Sequence, residues 1–400
     1  MKKVLLTLSA VFLISLTGAS AELVPYYNYL LTQGVSVSPE GDLGFLITLS
    51  NDIGTIYKPL DNHTFIGYYS LMYQGPGLKR QEGREFRERY LNHVFAGRHH
   101  WDIGDITIKN QLSILMERRR SGTNETWESG LYNFNRFGGS SAATTKLWGI
   151  ESTLSLGYHF LSFPNYSDLL AELRGGADAS DTSGTQNHHS IRVAYTGTVG
   201  RNTFWLSLNP LLYTKQRVAV DEAQADGTFY SSTKQREMVY NLGAKKALRL
   251  TGALSAAPEV DLTIRVSNQN YLHYDDVTST SPASVNPFHE KFFNYVEPSL
   301  SLPMSVTLGR AWSYFLNPSW SYRVYTNRAP RNSEGEFIEG EKQNRLLGIY
   351  TTGFRRQTGE SSATVFFFTF QNQSSNMKFE RYIPYNYSGL SAGIRFQMEY

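Results

Sequence analysis

The carboxy-terminal residues alternate strictly between apolar and polar side chains, and this alternation constrains the fold more than any other feature of the chain. The apolar positions are Leu390, Ala392, Ile394, Phe396, Met398 and Tyr400. The intervening positions are Ser391, Gly393, Arg395, Gln397 and Glu399. A period of two residues is typical of a β-strand that has one apolar and one polar face. The sequence therefore predicts a strand that ends on an aromatic residue.

The same alternation recurs along the chain. It is clear in the segments 106–118, 154–160, 191–199 and 260–266. The connections between such segments alternate in length: 101–105 is short, for example, whereas 119–146 is long and polar. Strands with one apolar face, joined by alternating short turns and long loops, are the signature of a transmembrane β-barrel.

These features resemble the porin-like class of Gram-negative outer-membrane β-barrel proteins. The resemblance implies an all-β, antiparallel, up-and-down transmembrane barrel over residues 64–400. Counting from Thr64 predicts about 14 strands, with 12 or 16 as alternatives. Residues 22–63 are interpreted as a periplasmic lead-in, a plug or additional first strands. A water-soluble β-sandwich or barrel is the other reading of the alternation.

The amino terminus supports export. Lys2 and Lys3 precede an apolar run from Val4 to about Leu16, and Ala19-Ser20-Ala21 forms a small-residue cleavage site. This pattern predicts a secretory signal peptide over residues 1–21. Together with the barrel pattern it predicts an integral protein of the outer membrane.

Composition excludes several classes of function. The chain contains no cysteine, which excludes disulfides, cysteine-ligated metals and a lipidated amino-terminal cysteine. Without Lys2 and Lys3, 36 of the 38 basic residues remain against 35 acidic ones, so no nucleic-acid-binding surface is indicated. No cofactor and no metal site are expected.

Strand parity predicts which charges line the lumen. The candidates are Lys109, Glu117, Glu151, Glu172, Arg174, Arg192, Asp261, Arg265, Arg323, Arg395 and Glu399. Because six cations face five anions, we expect a passive channel for small solutes with weak selectivity, slightly towards anions. A non-conducting structural or surface-interaction barrel, acting through its long loops, is the alternative.

Catalytic motifs are weak, so the chain is not expected to be an enzyme. His188 and Ser190 have an H-x-S spacing loosely similar to that of barrel lipid hydrolases, but the residues expected after the serine are missing. His273, Asp275 and Asp276 loosely resemble half of a barrel-protease site. A lipid hydrolase or a protease is a minor alternative.

The remaining expectations concern the membrane and assembly. Arg118, Arg119 and Arg120 lie at the outer end of a strand, where their guanidinium groups are candidates for contact with lipopolysaccharide phosphates. The barrel-closing strand, with Leu390, Ile394, Phe396, Met398 and Tyr400, is expected to be recognised by the barrel-insertion machinery after periplasmic chaperones deliver the chain. An arginine at inward Gly393 is expected to be tolerated where the lumen has room.

Overall fold

A computed structural model describes residues 22–37, 43–76, 89–120, 127–128, 130–166, 183–225, 227–274, 279, 281–284, 287–380 and 384–399. The predicted signal peptide lies outside these residues, as do Glu172, Arg174, Asp275, Asp276 and Tyr400. No helix in the described part of the chain is long and apolar enough to span a membrane.

The described residues form β-strands and connecting turns. The strands are β1 (Glu22–Val37), β2 (Leu43–Leu60), β3 (His63–Pro76), β4 (Arg89–Ile103), β5 (Ile106–Arg120), β6 (Phe134–Leu147), β7 (Ile150–Ser162), β8 (His188–Val199), β9 (Asn202–Ala219), β10 (Tyr230–Lys246), β11 (Leu248–Arg249), β12 (Leu254–Ala256), β13 (Glu259–Ser267), β14 (Tyr271–Leu272), β15 (Phe288–His289), β16 (Tyr295–Ser301), β17 (Met304–Thr307), β18 (Trp312–Tyr325), β19 (Asn344–Gly359), β20 (Ser362–Ser375) and β21 (Tyr387–Glu399).

The main sheet closes on itself as an antiparallel barrel. Each long strand pairs with its neighbours in sequence, and β21 pairs with β1 from Val37↔Leu390 to Asn28↔Glu399. The short strands β11, β12 and β17 extend two of the turns, whereas β14 and β15 form a separate small sheet. The barrel itself therefore has 16 strands.

The expected number of 14 strands is wrong, because two strands precede Thr64. Residues of the segment interpreted as a lead-in, plug or extra strands form β1 and β2, which pair with each other over the full length of β1. Their alternation is obscured in the sequence by polar side chains at outward positions, such as Gln33 and Asn51. Only the pairing partners on both sides make these segments recognisable as barrel strands.

The two faces of the barrel wall differ in polarity. The outward face carries large apolar side chains that are exposed, including Leu112 at 74%, Ile53 at 54% and Ile394 at 49%. The opposite, inward face carries the carboxylates of the described strands and most of their cations. A sheet with such an exterior is stable only in an apolar solvent, because these side chains would be costly to expose to water.

Three prolines within strands occupy positions where hydrogen-bonded pairing is interrupted on one side. Pro210 pairs with Met238 of β10, while the pairing of β9 with β8 skips this position. Pro298 likewise pairs with Leu262 and lies in a gap of the pairing between β16 and β18, whereas Pro318 pairs with Tyr350 and lies just beyond the last pair of β16 with β18, Ser301↔Ser319. The missing N–H group of each proline therefore costs no regular ladder bond.

The long connections over one side of the barrel fold into a cap, formed by the described residues of 268–294, 326–343 and 376–386. Its small core includes Phe292, Met377 and Gln343, which are at most 6% exposed. The Arg331 guanidinium lies 4.2 Å from the ring centroid of Phe337 and donates to the Tyr271 hydroxyl at 3.3 Å. These contacts join loops that are distant in sequence into one structure at the long-loop end.

Candidate functional site

The inward face of the barrel is the candidate site, and it contains each predicted lumen residue that the structure describes. Strand pairing places Lys109, Glu117, Glu151, Arg192, Asp261, Arg265, Arg323, Arg395 and Glu399 on this face. Glu172 and Arg174, the other two candidates, lie outside the described residues.

Sequence reasoning missed several inward charges. The most important are Arg98, Glu237, Glu297 and Arg345. The same two-residue periodicity could have identified them, since each lies in a strand whose outward positions are largely apolar. Their partners could not be found in this way, because the partners lie on other strands.

A buried ion pair lies on the inward face between β10 and β13. The Glu237 side chain has 0% exposure and accepts from both Nε and Nη2 of Arg265, at 2.9 and 2.6 Å. Gln235 Nε2 donates to the same carboxylate at 2.6 Å. Both guanidinium nitrogens donate to the same oxygen, Oε2, and such charge-assisted hydrogen bonds are strong, so Arg265 is held against the wall.

The adjoining wall has more cationic than anionic charge. One carboxylate, Glu297, is shared by Arg323 and Arg345, with Arg345 Nη2 at 3.3 Å and Arg323 closer. The Arg323 guanidinium also lies 4.0 Å from the ring centroid of Tyr295. Two guanidinium groups and one carboxylate leave one uncompensated positive charge at this level of the lumen.

Asp261 is held by neutral partners. Asn241 Nδ2 donates to both of its carboxylate oxygens, at 2.7 and 2.9 Å, and Trp205 Nε1 donates to Oδ2 at 3.1 Å. These donors lie on β10 and β9, so three strands fix one anion. No cation within the described residues forms an ion pair with Asp261, so its negative charge is not cancelled locally.

Arg98 lies on a different part of the inner wall. Its Nη2 donates to the Tyr68 hydroxyl at 2.8 Å and its Nε to Gln111 Oε1 at 3.2 Å. Tyr68 also forms an edge contact with Tyr26, with ring centroids 5.7 Å apart. The guanidinium is therefore oriented by neutral groups and keeps its full charge towards the lumen.

Several inward cations remain accessible to solvent. Three of them, Lys109, Arg192 and Arg355, are exposed. None of these three side chains forms a hydrogen bond or ion pair with any residue that the structure describes. Arg395 is also exposed, and among the residues that the structure describes its guanidinium donates to Thr32 Oγ1 alone, at 3.2 Å. Exposed charges on an inward face require water-filled space beside them.

The three consecutive arginines predicted to contact lipid headgroups do not share a face. Pairing of β5 with β4 places Arg118 and Arg120 outward and Arg119 inward, where Arg119 forms an ion pair with Glu117. For Arg119 the expectation of a headgroup contact is therefore wrong, because adjacent residues of a strand point to opposite sides.

The structure describes His188, Ser190 and His273 of the weak catalytic motifs, whereas Asp275 and Asp276 lie outside the described residues. His188 Nδ1 lies 2.8 Å from the Gln186 carbonyl, and the Ser190 hydroxyl donates to Asn209 Oδ1 at 2.9 Å rather than to a histidine. His273 lies in the cap, with its Nδ1 3.2 Å from Arg331 Nη2. Within the described residues no group of three or more His, Asp or Glu side chains is arranged to hold a metal ion.

The closing strand has the predicted facial division. Leu390, Ile394, Phe396 and Met398 lie on the outward face of β21, where Phe396 pairs with Leu31 and Met398 with Tyr29 of β1. Tyr400 lies outside the described residues. Because β21 has partners on both sides, its backbone groups are satisfied without an edge.

A closed antiparallel wall with an apolar exterior and a charged interior defines the class of this protein: it is a β-barrel of the outer-membrane type. No protein-family model and no curated protein matches the sequence.

Among solved structures, the chain is similar to a bacterial polysaccharide outer membrane secretin, with 10% identity over 94% of this chain and 98% of that chain and a TM-score of 0.44. It is also similar to OmpT, an outer membrane protein of Vibrio cholerae, with 8% identity, coverage of 96% and 99%, and a TM-score of 0.46. An anion-selective porin from Comamonas acidovorans matches with 10% identity, coverage of 95% and 100%, and a TM-score of 0.45. At such values no residue role is transferred to this chain.

Proposed function

We propose that this barrel is a porin-like passive channel for small solutes in the outer membrane, with weak selectivity for anions. The observation that carries the proposal is the exposure of the inward cations Lys109, Arg192, Arg355 and Arg395. A barrel of this strand number is wide enough to enclose an aqueous channel. Neither a cofactor nor a chemical step is needed for such a function.

The charge distribution favours anions. The ends of β9 and β10 next to the loop that joins them are left out of this comparison, because their pairing is bulged. Elsewhere the inward cations are Lys58, Arg98, Lys109, Arg119, Arg136, Lys146, Arg192, Lys245, Arg265, Arg323, Arg345, Arg355 and Arg395. The inward carboxylates are Glu22, Asp52, Asp102, Glu117, Glu151, Glu237, Glu259, Asp261, Glu297 and Glu399. The cations are in excess, but several are neutralised in ion pairs, so the preference is expected to be weak.

Single-channel recording in planar bilayers tests this proposal. The purified protein is expected to conduct, and in a salt gradient its reversal potential is expected to lie modestly on the anion side. Replacing two accessible cations, as in Lys109→Glu with Arg192→Glu, should move the reversal potential towards the cation side, because the lumen field changes sign locally. Arg356→Gln is the matched control, since Arg356 lies on the outward face of β19.

Two results would contradict the proposal. A folded protein that does not conduct would refute the channel itself. An unchanged reversal potential in the double variant would refute the assignment of Lys109 and Arg192 to the conducting path.

The folded cap favours one alternative, a barrel that acts through its external loops. A cap with its own core, including Phe292 and Met377, offers a fixed surface of the kind that a binding partner needs. Absence of conductance, together with an unchanged protein fold, is the result expected from this alternative.

A further inference from the structure

The outward face of the barrel carries charges of one sign. Every Asp and Glu in the described barrel strands lies on the inward face. The outward charges in regular strand register are Arg89, Arg118, Arg120, Arg236, Lys246 and Arg356. The first four lie in the halves of their strands nearer the long loops. A cation beside hydrocarbon is costly without an anion, and the described outward face supplies no carboxylate.

One of these arginines lines a groove on the exterior of the barrel. Tyr69 of β3, His93 and Phe95 of β4, and Met116 and Arg118 of β5 surround about 460 Å³. Arg118 lies two residues from the long-loop end of β5, whereas Phe95 lies further from that end and is 50% exposed. The groove therefore changes from basic to apolar along the direction that crosses the membrane.

The polar side chains of the groove are held by hydrogen bonds, but part of their hydrogen-bonding capacity is left for a ligand. Arg118 Nη1 donates to the Glu117 carbonyl at 3.0 Å and to Asn135 Oδ1 at 3.1 Å. Its Nε and Nη2 donate to no group within the described residues, although together they form the edge that binds a phosphate with two parallel hydrogen bonds. The Tyr69 hydroxyl and Nδ1 of His93 are 2.7 Å apart, so His93 keeps Nε2 for a further partner.

We propose that this groove binds a phosphorylated acyl lipid of the outer leaflet, with a phosphate on Arg118 and an acyl chain along Phe95 and Met116. The order of polarity in the groove is the order of headgroup and acyl chain in such a lipid. A free phosphate would leave the apolar half of the groove without a partner. The described strands of a second copy of this barrel, approaching with their outward face, would present no carboxylate to Arg118. The proposal does not depend on whether the lumen conducts.

Native mass spectrometry of the purified full-length protein in detergent tests the proposal. The probes are bisphosphorylated lipid A, the same lipid after removal of its phosphates, and inorganic phosphate. The wild type is expected to bind the phosphorylated lipid, to bind the dephosphorylated lipid at least about ten-fold more weakly, and to retain the lipid in the presence of inorganic phosphate.

Variants distinguish lipid binding in the groove from non-specific binding to the outward arginines in general. Arg118→Gln is expected to weaken binding of the phosphorylated lipid about ten-fold, since a charge-assisted contact is lost. Phe95→Ala is expected to weaken binding of both lipids by a similar factor. Arg356→Gln is the matched control, because Arg356 is an outward arginine near the opposite end of the barrel, and it is expected to bind as the wild type does. Heat-modifiable gel mobility confirms that each variant is folded; if Arg118→Gln does not fold, Arg118→Lys takes its place and should show intermediate binding.

Several outcomes would overturn the proposal. Equal affinity for the dephosphorylated lipid, or unchanged binding by folded Arg118→Gln, would show that Arg118 does not hold a phosphate. Equal losses in Arg118→Gln and Arg356→Gln would point to a non-specific basic rim. Displacement of the lipid by inorganic phosphate would favour a simple anion site, and a stable dimer mass without lipid would show that a second copy covers the groove.

Discussion

An alanine at Gly393 is expected to weaken the seam that closes the barrel. Gly393 lies on the inward face of β21, directly opposite Gly34 of β1. A Cβ atom built at Gly393 would lie 2.4 Å from the Gln33 carbonyl oxygen, 2.8 Å from Cζ of Phe367 and 3.0 Å from Cα of Gly34. Two of these contacts are with backbone, which cannot yield without disturbing the pairing of the first and last strands. An arginine at Gly393 was expected to be tolerated only where the lumen has room, and this condition is not met, because the wall has no space there for even one added carbon.

The chain provides a matched control on the same strand. Gly389 also lies on the inward face of β21, and a Cβ atom there would meet only the Val37 carbonyl oxygen, at an ordinary 3.5 Å. Replacing glycine by alanine within a strand gains roughly 0.5–1 kcal/mol where there is space. Overpacking costs roughly 1–3 kcal/mol. Because the gain from alanine is common to both variants and only Gly393→Ala is overpacked, Gly393→Ala should be about 2 kcal/mol less stable than Gly389→Ala.

Urea unfolding of the barrel from lipid vesicles, followed by tryptophan fluorescence, measures this difference. Heat-modifiable gel mobility shows in parallel whether each variant forms a closed barrel. Gly389→Ala should match or slightly exceed the wild type, and Gly393→Ala should unfold at lower urea. Equal midpoints for the two variants would refute the reasoning, because they would show that the seam can widen without loss of hydrogen bonds.

Three further predictions follow from other parts of the wall. Ile394→Arg, on the apolar outward face, should cost about 2–4 kcal/mol in the same unfolding assay, and a variant as stable as the wild type would contradict the lipid-facing assignment. Arg265→Ala should cost about 3 kcal/mol because it leaves the fully buried Glu237 carboxylate without its cation, and adding Glu237→Gln should recover much of the loss; failure to recover would show that the pair is not coupled. In the cap, the hydrogen bond from the Asn386 side chain is the main cause that lowers the pKa of Glu380. The hydrogen bonds by which the Glu380 carboxylate orders the cap are therefore fully present above the pKa of an unfolded glutamate. They are lost as the pH falls through the lower pKa that Glu380 has in the folded protein. Hydrogen exchange of the Asn386 amide, corrected for intrinsic rates, should lose protection over that range in the wild type but not in Glu380→Gln, and a protection that is independent of pH in both would contradict this role.

The division of the wall into two faces was predictable from the sequence. Alternation in 106–118 and 390–400 already placed Lys109 and Arg395 opposite the apolar residues, because side chains of a strand point alternately to its two sides. The same rule separates Arg118 from Arg119, which the interpretation of 118–120 as one cluster overlooked.

The number of strands and the local pairing of charges depended on the tertiary structure. β1 and β2 have outward polar residues such as Gln33 and Asn51, so their membership of the barrel is decided by hydrogen bonds to neighbouring strands, not by their own pattern. The ion pair of Glu237 with Arg265 joins residues of different strands, and its formation depends on the register between them.

The physical reason is the range of the interactions involved. Burial against lipid acts on each residue separately and leaves a periodic signal in the sequence. Strand register, closure of the seam at Gly34 and Gly393, and the sharing of Glu297 by Arg323 and Arg345 arise between residues far apart in the chain, so only the assembled barrel determines them.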